Sequence, residues 1–224
     1  MNRKKEIINC INKISGKYSA YEVFTDWIRC MAMATSNAVT FWHDSVWKER
    51  EQAYQDTMRK YSPEEQRDMC EMMAWLAETM ENGPDDVLGD IYMHSGMGSK
   101  AAGQFFTPFH LSYLTAKMSL KDYASSFDGE MTKIEINEPS CGGGGMIIAA
   151  AKVLSEQGIN YQKYMSVVAQ DLDWKGVYMC YVQLSLLGIK AMCVQGDTLK
   201  DPYDPKRTPR RAILYTPAYM GALI

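Results

Sequence analysis

Apolar residues recur at helical spacing through the first hundred positions. Residues 6–14 read as a short amphipathic helix, and residues 21–35 carry Val23, Phe24, Trp27, Ile28 and Met31 on one stripe. Residues 45–60 form a third helical segment, mostly polar. Ser62-Pro63-Glu64-Glu65 is a helix start: Ser62 caps, Pro63 takes the first helical position, and Glu65 closes a capping box. The helix it opens turns Met69, Met72, Met73, Leu76 and Met80 inward and stops at Asn82-Gly83-Pro84. Asp85 or Asp86 caps a further short helix through Tyr92, and the glycines of 96–103 read as a flexible connection.

The pattern then changes. Ile134 and Ile136 alternate in a short strand over 133–137, followed by a turn with four consecutive glycines, Gly142–Gly145, and an apolar helix over 146–157. Strands over 165–169, 191–195 and 212–215 follow, with a helix over 174–187. The spacings are long enough for parallel crossovers. The expected architecture is mixed α/β: an all-helical domain over residues 1–100, then an open parallel sheet over 101–224.

Composition narrows the classes. Of 224 residues, 46% are hydrophobic and 23% charged, which is ordinary for a globular chain and too apolar for a disordered one. Lys and Arg number 24 against 27 Asp and Glu, a net charge of −3 that excludes a generally basic nucleic-acid coat. The longest apolar run, near 145–154, is broken by Lys152, whereas a membrane span needs about 20 residues. Six cysteines form no Cys-x-x-Cys pair and three histidines have no ligand spacing, so neither a metal site nor a disulfide framework is expected. Reduced thiols, and first residues without an apolar leader, point to the cytoplasm. The 17 methionines read as deformable core filler.

The unusual peptides gather at the carboxyl ends of the expected strands, where open parallel sheets bind ligands. The glycine run opens a helix, so a ligand can lie against bare backbone and free N–H groups. Asp171 ends the second strand, where a carboxylate can accept both hydroxyls of a ribose. Asp197 ends the third, where it can accept an adenine amine. The glycine run lacks the Gly-Lys-Ser/Thr ending of a P-loop and regular dinucleotide spacing. Its lead-in is acidic, Glu138-Pro139. A carboxylate there repels a pyrophosphate and attracts the ammonium of S-adenosylmethionine, so charge sign favours that nucleoside over NAD or ATP.

At this point the chain resembles the N6-adenine DNA methyltransferases of the type I restriction-modification methylase-subunit kind, over roughly residues 85–221. Asp86-Val87-Leu88-Gly89-Asp90-Ile91-Tyr92 resembles the helix before that family's catalytic domain. Gly103-Gln104-Phe105-Phe106-Thr107-Pro108 is similar to its Gly-x-Phe/Tyr-Phe-Thr-Pro segment at the cofactor's methionine end. Glu138-Pro139-Ser140-Cys141-Gly142-Gly143-Gly144 resembles its Asp-Pro-Ala-Cys-Gly-x-Gly loop. Gln170-Asp171 matches its ribose position, and Gly196-Asp197-Thr198-Leu199 its Gly-Asp-Thr-Leu at the adenine. The resemblance implies an incomplete Rossmann-like, class I S-adenosylmethionine-dependent sheet. It implies cofactor contacts from Phe106, Thr107, Pro108, Glu138, Ser140, Cys141, Gly142, Gly144, Asp171 and Asp197.

Two departures qualify it. Where the family carries Asn/Asp-Pro-Pro-Tyr/Phe, this chain has Thr216-Pro217-Ala218-Tyr219. Thr216 and the Pro217 carbonyl would hold the target amine, and Tyr219 would stack the flipped base. A hydroxyl is a shorter acceptor than a carboxamide, and losing one transition-state partner costs about a hundred- to thousand-fold in rate. The sequence also ends soon after this peptide, which would leave the fourth strand as an open edge. The expectation is a cofactor-binding homologue with weak or absent methyl transfer. DNA and a specificity or other restriction-modification subunit are the expected partners, with self-association open. The alternative is a non-enzymatic regulatory subunit of a restriction-modification complex. Lys206, Arg207, Arg210 and Arg211 form a basic cluster that either meets phosphates or lies solvated.

Overall fold

The computed structural model describes residues 2–94, 106–127 and 133–221. The expected connection over 96–103, and Phe105 with it, lie outside the described residues. The helices α1 (Arg3–Ile14), α2 (Ala20–Ala38), α3 (Ser45–Met58), α4 (Pro63–Met80) and α5 (Val87–His94) form the first part of the chain. Their starts are written locally. Ser19 with Glu22, and Ser62 with Glu65, close two capping boxes, and Asp44 caps α3 through the Trp47 amide. Met69, Met72, Leu76 and Met80 are buried along α4, and the Trp27 indole donates to the Met69 carbonyl at 3.0 Å.

After α6 (Phe109–Ser119) and α7 (Tyr123–Ser126), the chain alternates: β1 (Ile134–Glu138), α8 (Gly145–Glu156), α9 (Tyr161–Tyr164), β2 (Met165–Asp171), α10 (Trp174–Leu186), β3 (Lys190–Gln195), β4 (Ile213–Tyr215) and α11 (Pro217–Gly221). The sheet is four-stranded and open, in the order β1-β2-β3-β4. The first three strands are parallel: Glu138 at the end of β1 pairs with Ala169, and β2 and β3 run two residues further to the pair Asp171 and Gln195. One core runs unbroken from Ile7, Phe24 and Trp27 through Ile148 and Val167 to Leu214, so the helical part and the sheet share their packing.

The expectation of a fully parallel sheet is corrected at β4, which pairs antiparallel with β3, Cys193 opposite Leu214. The physical reason lies in the connection. A parallel return needs a crossover, usually a helix. Pro202, Pro205 and Pro209 interrupt the segment after β3, which forms only turns and a 3-10 turn at Arg210–Ala212. The chain therefore turns back at the same end. The outer edge of β4 is not bare, because Arg50 of α3 donates to the Ile213 carbonyl at 2.8 Å. Among the described residues no helix is long and apolar enough to cross a membrane.

Candidate functional site

Three turns meet at the carboxyl end of the parallel strands, and hydrogen bonds stitch them together. The Cys141 amide donates to the Gln170 carbonyl at 2.9 Å, and the Gly142 amide donates to Asp171 Oδ2 at 2.8 Å. The Gly196 amide donates to the Asp171 carbonyl at 2.9 Å, and the Thr198 hydroxyl to the Pro139 carbonyl at 2.6 Å. The structure thus brings Glu138, Ser140, Cys141, Gly142, Gly144, Asp171 and Asp197 into one region. Phe106 joins it, since its ring stands 2.8 Å from where a Cβ on Gly142 would lie. Thr107 and Pro108 follow at the entry to α6, both exposed.

The glycines answer to the protein as well as to any ligand. Gly142 and Gly144 hold φ of +48° and +91°, and a Cβ on Gly144 would sit 3.1 Å from Cys180 Sγ on α10. The sequence alone assigns the missing Cβ atoms to ligand approach. The structure shows that α10 needs the same space.

The acids are already partly engaged. Asp171 accepts from the amides of Gly142 and Asp173 through different oxygens, leaving lone pairs on each. Asp197 Oδ1 accepts from the amides of Leu199 and Lys200. Partial desolvation pushes the Asp197 carboxyl up, but those two amides and the Lys200 ammonium outweigh it and hold the carboxyl below its ordinary range. Glu138 accepts from the Ser140 amide at 3.2 Å. Cys141 is buried, and its thiol pairs with Cys180, which with burial raises its pKa well above the ordinary value. Its side chain therefore faces the core, and only its backbone faces the turn.

The Thr216 peptide lies elsewhere. Because β4 runs back along β3, Thr216 stands opposite Ala191 near the start of β3, about 13 Å down the strand from Gln195. Thr216 is fully buried; its hydroxyl donates to the Ile189 carbonyl at 2.7 Å and accepts from the Ala191 amide at 2.9 Å. The structure does not bring Thr216 and Pro217 to the glycine turn. Tyr219 packs on Tyr215 with ring centroids 5.2 Å apart. It also lines a cavity of about 540 Å³ on the open sheet face with Asn137, Ser166, Met192 and Tyr203. In the basic cluster, Arg210 pairs with Asp44, and Arg207 with Asp204 at 2.9 Å.

Sequence reasoning missed two supports. Lys175, buried at the start of α10, donates to the Tyr92 hydroxyl at 2.9 Å and ties α5 to the site. Gln183, fully buried on α10, donates to the Gly143 carbonyl and to Asp86, both at 2.8 Å. Neither residue had a signal beyond its place on a helix. Asp86 had one, as a cap: it accepts from the Gly89 amide at 3.0 Å. Among the described residues no cluster of His, Cys, Asp and Glu could hold a metal ion.

The sequence pattern described as N-6 DNA methylase matches residues 83–222, which takes in α5, the glycine turn, Asp171, Asp197 and the Thr216 peptide. Comparison with curated proteins returns no match for this chain.

Proposed function

From the premise that the chain belongs to the N-6 DNA methylase family, a family of adenine DNA methyltransferases, we propose that it binds S-adenosylmethionine across the three strand-end turns. In this reading it acts as a homologue of the type I methylase subunit whose methyl transfer is weak or absent. The single observation that carries the cofactor half is the stitching of the Gly142 turn to Asp171 and of the Asp197 turn to Pro139. A fit to the group is supported by the chemistry of the donors: bare glycine backbone at the start of α8, and carboxylates at the ends of β2 and β3.

In that arrangement Asp171 accepts the ribose hydroxyls, Asp197 the adenine amine, and Glu138 faces the methionine ammonium. Phe106, Thr107 and Pro108 border the methionine end, and the backbone of Ser140, Cys141, Gly142 and Gly144 forms the floor. The cofactor, when bound, supplies an electrophilic sulfonium methyl group. DNA fits the family as substrate; a specificity subunit or a second copy of the chain belongs to the proposal. Weak transfer is supported by Thr216, whose hydroxyl is consumed by Ile189 and Ala191. The same burial favours the second reading, a regulatory subunit that keeps the cofactor fold without chemistry.

Calorimetric titration with S-adenosylmethionine, beside a tritiated methyl-transfer assay on mixed DNA, tests the two halves of the proposal. The expected result is saturable binding with transfer at or near background. Binding with rapid transfer would remove the inactive half of the proposal, and a folded chain giving no heat would remove the cofactor half.

A further inference from the structure

We infer that Asp86, acting through Gln183, is the positioning residue of the glycine turn, so that α5 belongs functionally to the cofactor site. The inference rests on reading Gly142–Gly145 as the cofactor turn. Asp86 is 4% exposed, and its Oδ1 accepts from Gln183 Nε2 at 2.8 Å and from the Gly89 amide at 3.0 Å. The second hydrogen of the same Gln183 amide goes to the Gly143 carbonyl at 2.8 Å, and Gln183 Oε1 accepts from the Leu88 amide at 2.9 Å. One carboxamide, with every group satisfied, therefore joins the start of α5 to the peptide between the two left-handed glycines.

Packing reinforces the link. A Cβ on Gly89 would overlap the Asp86 carboxylate, and a Cβ on Gly145 would lie 2.9 Å from Asp86 Oδ2. The carboxylate is thus keyed between a glycine of α5 and the first residue of α8. Ser112 Oγ, fully buried without a hydrogen-bond partner, lies 3.7 Å from the same Gly145 position. The glycines at 89 and 145 are matched to one acid, and shifting that acid shifts the turn.

The test is amide hydrogen exchange of the unliganded full chain, read over 141–147 against α1 and α4 as internal references. Gln183→Leu is expected to raise exchange across the glycine turn about tenfold or more, with α1 and α4 unchanged. Asp86→Ala is expected to do the same. Asp86→Asn is expected to retain wild-type protection, because its Oδ1 still accepts from Gln183 and from the Gly89 amide. If Gln183→Leu does not fold, Gln183→Glu is read instead; it can accept from Leu88 but has at most one hydrogen to donate, so it cannot bridge Gly143 and Asp86 as the amide does.

Protection unchanged in the Gln183 variants would overturn the inference, as would equal loss in Asp86→Asn and Asp86→Ala. Titrating the same proteins with S-adenosylmethionine keeps the two claims apart. No binding by the wild type contradicts the proposed function, while the exchange data still decide the role of Asp86. Binding by the wild type and Asp86→Asn, weakened about tenfold in Asp86→Ala, supports both.

Discussion

Gly142 donates its amide to Asp171 Oδ2 at 2.8 Å, across 29 positions of sequence. Asp171 also orders the start of α10, because its other oxygen accepts from the Asp173 amide at 2.9 Å. One carboxylate therefore sets two turns at once. Asp171→Ala is expected to cost about 1–3 kcal/mol, the penalty for stranding partly buried amides. It should also weaken S-adenosylmethionine binding by more than tenfold. Urea unfolding and calorimetry on the same samples check the two effects separately.

Gly144 combines a φ of +91° with close approach to Cys180. Gly144→Ala is expected to destabilise the chain by about 2 kcal/mol, from the left-handed backbone penalty and displacement of α10. At this chain length that is a fall of roughly 4–8 °C in Tm, measured by thermal unfolding. Gly158→Ala, also at positive φ but with nothing near its Cβ position, is expected to show only the backbone share.

Much of the fold and part of the site are legible in the sequence. Ser62 and Glu65 announce α4 because a capping box is local chemistry. The turns at the ends of β1, β2 and β3 are legible because a chain leaving a strand tightly favours glycines and short acids, and Gly142, Asp171 and Asp197 stand there. The direction of β4 is not legible, since three residues, Ile213–Tyr215, pair equally well either way and the prolines before them decide the return. Gln183 is not legible either, because a polar residue on a helix says nothing about whether it faces a glycine turn or water. Thr216 reads as a substrate-facing residue from its neighbours in sequence, while its true partners, Ile189 and Ala191, become visible only in the sheet.

Thr216 therefore carries its own prediction. Thr216→Val removes the hydroxyl at nearly constant volume and leaves the buried Ala191 amide without its 2.9 Å acceptor. The expected cost is about 1–3 kcal/mol, seen as a lower urea midpoint. Thr216→Asn, which restores the family's residue, is expected to be destabilised by its extra bulk and to show no gain in tritiated methyl transfer. A gain would mean that this peptide reaches the cofactor turn in solution.

Asp86 predicts a pH dependence. Burial pushes its carboxyl above the ordinary value of 3.8, against the opposing hydrogen bonds from Gln183 and Gly89. The folded state therefore holds the proton more tightly than the unfolded state. That contribution is fully present below 3.8 and is lost as pH rises through the folded pKa. Comparing wild type with Asp86→Asn by urea unfolding from pH 4 upward should show the variant gaining relative stability across that window, then a plateau. A difference independent of pH would contradict the assignment.

Hydrogen exchange of the wild-type chain with and without S-adenosylhomocysteine tests the central claim most directly. Binding across the three strand ends predicts that 141–147, 171–175 and 196–200 gain protection together and at the same ligand concentration. Protection at none of these segments, or at only one of them with the others unchanged, would contradict it.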